Sequence, residues 1–325
     1  MNTFTRTLLV TAIAATSFSA SADLKPLNDG AMGDVTGQAG VTIDLSANVE
    51  VKEIAYQDKG FLVIDGLKLG GHSTAGATTA LDDIRLTIDV AGTAADDLGN
   101  GGVFAGDYVA AALATDPATG AQDSAQLAAN AAAVDGVETS QAVTDGDLVI
   151  SLRSQSGAPV DYGLGIGSIS LAKEADNAAN IGNLSAMNAD STVLVSAMQI
   201  DGYLGPVDLI VQEEANSLNI NAYFNATGAV TLPFMGTSLG FELHNRRGDS
   251  VIANSAGTMS FAHAQVDVSV KEDHFGAGQN ALAVNVQDFS GDLDLTNITM
   301  GNGASIGSLY MTDVAVTAET VIYGH

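Results

Sequence analysis

From Val41 to Lys52 the chain alternates without a slip. Val41, Ile43, Leu45, Ala47, Val49 and Val51 are apolar, and Thr42, Asp44, Ser46, Asn48, Glu50 and Lys52 are polar. A helix would scatter these residues around its circumference, whereas a strand sends them to opposite faces. The pattern predicts one strand over 41–51 with its odd-numbered side chains in a core and its even-numbered ones in water. Shorter alternations recur at Ile84–Val90, Leu148–Leu152, Val207–Val211, Leu218–Phe224, Leu239–Leu243, Val266–Val270, Leu282–Val286 and Leu293–Leu295, with Gly, Asn, Asp or Ser at the breaks. Many short strands between turn signals predict an all-β chain: an elongated antiparallel sandwich, roll or folded-over sheet. An Ile-Gly-polar-aliphatic core appears at Ile166, Ile181 and Ile306 without a fixed period, which argues against a regular solenoid.

Residues 93–145 break the alternation. This stretch is Ala-rich and acidic with no base, and Tyr108–Leu113 and Gln126–Ala131 favour helix, separated by Asp116-Pro117-Ala118-Thr119-Gly120. It reads as a helical or flexible insertion on the β-body. The organisation expected is a signal peptide over 1–22, an N-terminal β segment over 23–92, the insertion over 93–145, and a β-rich body over 146–325 continuous with 23–92. Hydrophobic content of 46% against 15% charged residues calls for a packed core, not a disordered chain.

At the N-terminus Arg6, the apolar run Leu8–Ala15 and Ala20-Ser21-Ala22 have the form of a secretory signal, with the mature chain starting near Asp23. No later segment supplies the roughly 20 apolar residues of a transmembrane helix. The formal charge is −27, and removing Arg6 makes it −27 − 1 = −28. No base lies between Arg85 and Arg153, between Lys173 and Arg246, or after Lys271. A chain so short of basic surface cannot neutralise nucleic-acid phosphates or an anionic membrane surface. There is no cysteine, so burial and backbone pairing alone must hold the fold.

The stretch Leu27-Asn28-Asp29, Met32 and Val35-Thr36-Gly37-Gln38-Ala39-Gly40-Val41-Thr42-Ile43 resembles the amino-terminal signature of a group of exported proteobacterial β-rich proteins, one class of which is described as FilA-like, of a pilus system. Ile306–Asp313 looks like a recurrent strand of the same proteins. The resemblance implies export and a β-rich surface role, and it brings no catalytic or binding residues with it.

Chemistry-bearing motifs are sparse. Gly71-His72-Ser73-Thr74-Ala75-Gly76 approaches a nucleophile elbow but has Ala75 where glycine is required and a loop where a helix should follow, so it reads as a polar hairpin connection. His72, His244, His263, His274 and His325 form no metal-ligand spacing. Calcium prefers oxygen ligands, which makes Asp292 and Asp294 the candidates, yet they lack the EF-hand glycine, and Gly101–Asp107 misses the nonapeptide spacing. A solvated acidic face is the expectation there. Arg247-Gly248-Asp249, a tripeptide read by some cell-surface receptors, reads as a polar turn.

The expected function is therefore non-enzymatic and without a cofactor: an exported periplasmic, outer-membrane-surface or extracellular protein of a Gram-negative envelope. It would be a structural or assembly component of a filament, pilus-like or adhesin-like system, meeting envelope proteins or its own copies by strand addition. The alternative is a carrier of lipid or another apolar ligand in a cleft between sheets. An outer-membrane barrel is disfavoured, because 5% aromatics and no Trp leave little for the interfacial girdles.

Overall fold

The computed structural model describes residues 40–323 apart from 75–76, 79, 92–111, 117–118, 135–142, 145, 187–190, 214, 250, 277 and 302. The signal, the signature up to Ala39, Gly101–Asp107, Tyr108–Ala111 and His325 lie outside the described residues.

The fold is all-β. Thirteen strands form one antiparallel sheet and two more form a small hairpin. In chain order the strands are β1 (Val41–Ala47), β2 (Val49–Gln57), β3 (Gly60–Gly70), β4 (Ser73–Thr74), β5 (Ala77–Thr78), β6 (Leu81–Val90), β7 (Leu148–Ser154) and β8 (Val160–Lys173). They continue with β9 (Ser191–Gln212), β10 (Ser217–Leu232), β11 (Thr237–His244), β12 (Ala262–Lys271), β13 (Ala281–Met300), β14 (Ser305–Ala315) and β15 (Ala318–Ile322). The hairpin of β4 and β5 is the connection expected at Gly71–Gly76.

The pairings reduce to eight columns. β2 and β1 pair with β3 and β6, which pair in turn with β8 and β7. Both of these lie on one edge of β9. β10 takes the other edge of β9 and is flanked beyond by β12 and β11. β13 pairs with both of those, and its far edge carries β14 and β15. Every column neighbours the next one in the chain, which makes the sheet a pure meander. β13 unites the two segments read separately at 282–286 and 293–295.

The first strand departs from expectation in two ways. It is split at Asn48 into β1 and β2, which pair with different strands. Its odd-numbered residues are also exposed, Val41 at 55%, Ile43 at 42% and Leu45 at 40%. Period two establishes two faces and is silent on which one is covered. In the repeat, Ile166 and Ile306 lie in strands β8 and β14, but Ile181-Gly182-Asn183-Leu184 is a turn leading into a 3-10 helix.

Close approach explains Gly202 of β9. Its neighbour across the ladder, Tyr162 of β8, passes over it and donates its phenol to the Asn225 carbonyl of β10 at 2.9 Å. A Cβ at Gly202 would sit 2.8 Å from the Tyr162 ring and collide with the Asn225 carbonyl. Burial, with Asp201 adding to it, pushes the Tyr162 hydroxyl up to about 12.

The 93–145 segment is more than a surface excursion. It contains helix α1 (Ser124–Val134), whose N-terminal amides at Ala125 and Gln126 donate to the Asp123 carboxylate at 3.0 and 3.1 Å. Asp123 also accepts the Ser255 hydroxyl at 2.9 Å, tying the helix to the 245–261 excursion between β11 and β12. Leu113 packs in a buried cluster with Tyr223, Ile252 and Phe261. Asn130 is fully buried and accepts from the Ala253 amide. Ala-rich composition concealed these anchors, which are single residues.

Candidate functional site

Three aliphatic rows cross the sheet. One runs Val41–Ile88–Ile150–Leu209–Ile220–Val266–Val286–Ala318, a residue from each of the eight columns. A second runs Val90–Leu148–Val211–Leu218–Val268–Val284, and a third Ile43–Leu86–Leu152–Val207–Ala222–Ala264–Phe289. None of these residues is buried. The following row, Leu45–Ile84–Ser154, ends this face, since Ile84 is buried. Eight columns about 4.8 Å apart span roughly 34 Å, so the rows cover on the order of 600 Å². Ordinary monomers reach about 300–600 Å² in their largest apolar patch.

The intervening row faces the other way and is polar: Thr42–Thr87–Ser151–Asp208–Asn221–Gln265–Asp288. Thr87, Ser151, Asp208, Asn221 and Gln265 are all buried. One face of the sheet thus buries this polar row, alongside Val149, Ile210 and Tyr223, and the other face carries the aliphatic rows. Burying the polar row is tolerable because its groups bond one another. The Arg153 guanidinium meets Asp208 at 2.8 Å with the two side chains 5% and 2% exposed. Ser151 donates to the same carboxylate at 2.8 Å. Arg153 also donates to the carbonyls of Leu152 and Val207. Further along, His263 bridges Asn221 and Asp288 through its two ring nitrogens at 2.6 and 2.8 Å.

A cleft of about 410 Å³ opens where β9 bulges. Between Ala222 and Phe224 of β10 the register of β9 slips past Gly205 and Pro206. Proline, with no amide to give the ladder, suits that position. The walls are Ala112, Leu113 and Thr115, then Ser154, Gly157, Ala158 and Pro159 about the β7–β8 turn, Tyr203 to Pro206, and Asn254, Thr258, Met259 and Phe261.

Asp292 and Asp294 stand elsewhere, and not on a solvated face: they are 0% and 6% exposed. Asp292 accepts the amides of Arg246 and Arg247 at 2.9 and 2.8 Å and that of Asp313 at 3.1 Å, with His244 at 3.2 Å. Asp294 receives two nitrogens of the Arg247 guanidinium and lies 3.2 Å from His244. Asp313 accepts the Asp249 amide. The three aspartates together pin the Arg247-Gly248-Asp249 turn, and its arginine is committed to Asp294. Long-range pairing of β11, β13 and β14 creates this arrangement, and no spacing in the sequence announces it.

Glu242, His244 and Asp294 each bring a ligand atom within 4.8 Å of the others. Arg246 pairs with Glu242 at 2.7 Å and Arg247 with Asp294, so a divalent cation would have to displace two guanidinium groups. His244 and His263 sit in separate networks, and His72 contacts the Gly202 carbonyl at 2.7 Å.

The Arg247 hydrogen bond holds the Asp294 carboxyl below its ordinary range, with His244 adding to it and burial opposing. A carboxylate depressed on folding stabilises the protein above its unfolded pKa of about 4, and that stabilisation is lost as pH falls through the folded value. Asp294→Asn should therefore cost stability at pH 7, and the gap between the two proteins should narrow below about pH 4. Urea unfolding at both pH values measures it, and a gap that stays constant would contradict the assignment.

Residues 1–92 match the model of a family of unknown function (DUF6160). The match takes in β1 to β6, the first two columns of the sheet. No curated protein and no solved structure matches the chain. No helix among the described residues is long and apolar enough to cross a membrane.

Proposed function

We propose that this is a non-catalytic protein that carries lipid or another apolar ligand on its sheet. The observation that supports it is the face of the sheet that carries three aliphatic rows with no buried residue, opposite a face that buries a hydrogen-bonded polar row with Val149, Ile210 and Tyr223. Water outside would favour the opposite arrangement, because each buried aliphatic side chain stabilises by about 1.5–3 kcal/mol relative to exposure. Acyl chains against the rows recover that burial and require no hydrogen bonds in return.

A second reading, an assembly component joined by strand addition, rests on the edges. β1 and β14 each pair on one side only among the described residues. The single charged residue in each is Asp44 and Asp313, with no Lys or Pro to block pairing. Columns one and eight run in opposite directions, so a second copy added edge to edge meets an antiparallel partner.

Native mass spectrometry of the protein purified without detergent separates the two readings. Bound hydrophobic molecules on the monomer are the expected result. A lipid-free ladder of multiples would transfer the proposal to assembly, and a lipid-free monomer would sink both.

A further inference from the structure

We propose that the turns at one end of columns five to eight form a docking tip for an electrically neutral lipid bilayer. Docking there rests on lipid carriage by the rows, for which it supplies the source. A single 3-10 turn, Pro233–Met235, joins β10 to β11, and Met300 ends β13 beside it. The Gly301 amide donates to the Gly236 carbonyl at 2.7 Å, which holds the two turns together. Phe234 is 72% exposed, Met235 63% and Met300 56%, so three large apolar side chains stand in water at one spot. The spot is also firm: the Gly236 amide donates to the Pro233 carbonyl at 3.1 Å, and the Ser238 and Thr299 hydroxyls meet at 2.6 Å. A tip already ordered loses little freedom on contact.

Single exposed apolar residues are ordinary, and the charge pattern sets these apart. No charged residue lies between Glu214 and Glu242 or between Asp294 and Asp313, in a chain whose formal charge is −27. Going back from the tip along β11 and β13, the first charges are Glu242 and Asp294, partners across the ladder. At about 3.4 Å per residue, Thr237 to Glu242 spans about 17 Å. One leaflet supplies about 15 Å of hydrocarbon, so the tip enters the interface without drawing a charge out of water. The other turns at this end carry charge, Asp58 and Lys59 after β2 and Lys173 and Glu174 at the end of β8, which confines contact to these columns. An anionic surface would repel so acidic a chain. Three side chains also fall far short of the roughly 800 Å² that each partner buries in a stable protein interface, whereas they suffice for shallow immersion among headgroups.

A route joins the tip to the rows. β10 pairs with β12 and then β11 without a slip, so its even-numbered residues keep to one side from Leu218 to Leu232. Leu218, Ile220 and Ala222 belong to the three rows, and the even positions beyond them, from Phe224 to Leu232, are apolar or glycine and none is buried. A lipid leaving the bilayer at Phe234 thus meets an uncovered apolar track that ends on the rows.

The chain has no tryptophan, so Phe234→Trp places a single reporter on the tip. With phosphatidylcholine vesicles its emission should move to the blue and escape quenching by acrylamide. Phe275→Trp is the control: Phe275 is 51% exposed but sits between β12 and β13 at the opposite end of β10, close to Glu272 and Asp273, and its emission should not move. Phe234→Ser with Met300→Ser should weaken vesicle partition, read by flotation, by about tenfold or more, which is about 1.4 kcal/mol. Both positions are exposed, and a cooperative melt confirms that the variant is folded. Phosphatidylglycerol added to the vesicles should weaken binding, and salt should restore it. Equal shifts at the two reporters, or tighter binding to anionic vesicles, would overturn the proposal. So would blue emission without vesicles that grows with protein concentration, because a second copy would then cover the tip. A tip that ignores vesicles on a protein still holding co-purified lipid would sink docking and leave carriage standing; a tip that enters vesicles on a lipid-free protein would uphold docking and sink carriage.

Discussion

Asp208→Ala should lower the unfolding free energy by about 3–5 kcal/mol, the usual cost of breaking a buried ion pair from one side. The carboxylate is 1% exposed, takes the Arg153 guanidinium at 2.8 Å and accepts the Ser151 hydroxyl. Removing it leaves a cation inside the polar row with two carbonyls as its remaining named acceptors. Replacing both members, Arg153→Met with Asp208→Leu, should recover most of the loss, since an apolar pair asks for no compensation. Urea denaturation of the three proteins measures the contrast. If the double variant is as unstable as Asp208→Ala alone, the cost lies in packing and not in the stranded charge.

Asp292→Ala should be nearly as damaging, by about 3 kcal/mol, because three backbone amides lose a common acceptor where the carboxylate is 0% exposed. The effect should also be local. The turn at 245–249 hangs on that carboxylate, so trypsin should cut after Arg246 or Arg247 much faster in the variant than in the parent protein. Proteolysis mapped by peptide mass distinguishes this from general unfolding, which would release cuts at Lys68, Arg153 and Lys173 at the same time. A parent protein already cut at Arg247 at the variant's rate would show that the aspartates do not hold the turn.

The strands were legible because alternation is local: Ile84–Val90, Leu148–Leu152, Val207–Val211 and Leu218–Phe224 all fall inside strands. The covered face was not. An isolated strand such as Val41–Ala47 carries the same pattern whichever of its faces is covered, and only the burial of Asp208, Asn221 and Gln265 several columns away shows that the polar row is the one turned inward. Asp292 and Asp294 were legible as alternating acids on a strand. Their partners are Arg246 and Arg247, more than forty residues back, brought near by the pairing of β11 with β13. The cleft left no trace at all in the sequence, since its walls come from four segments and a bulge at Gly205-Pro206 is visible only in the register.

The sequential order of the columns also governs how the chain reaches this state. The chain steps from each column to the adjacent one, so loop closure is short for six of the seven steps and long only across residues 91–147. Sheets of this width are slow to fold when distant strands must meet, and this one avoids that search. A chain emerging N-terminus first can add columns one at a time, each laid on a ladder already formed. The growing edge is then the one hazard at every stage, and β14 and β15 form the rim on which it ends. Truncation before Ser305 would leave β13 as a bare edge twenty residues long, a far stronger template for aggregation than the finished rim.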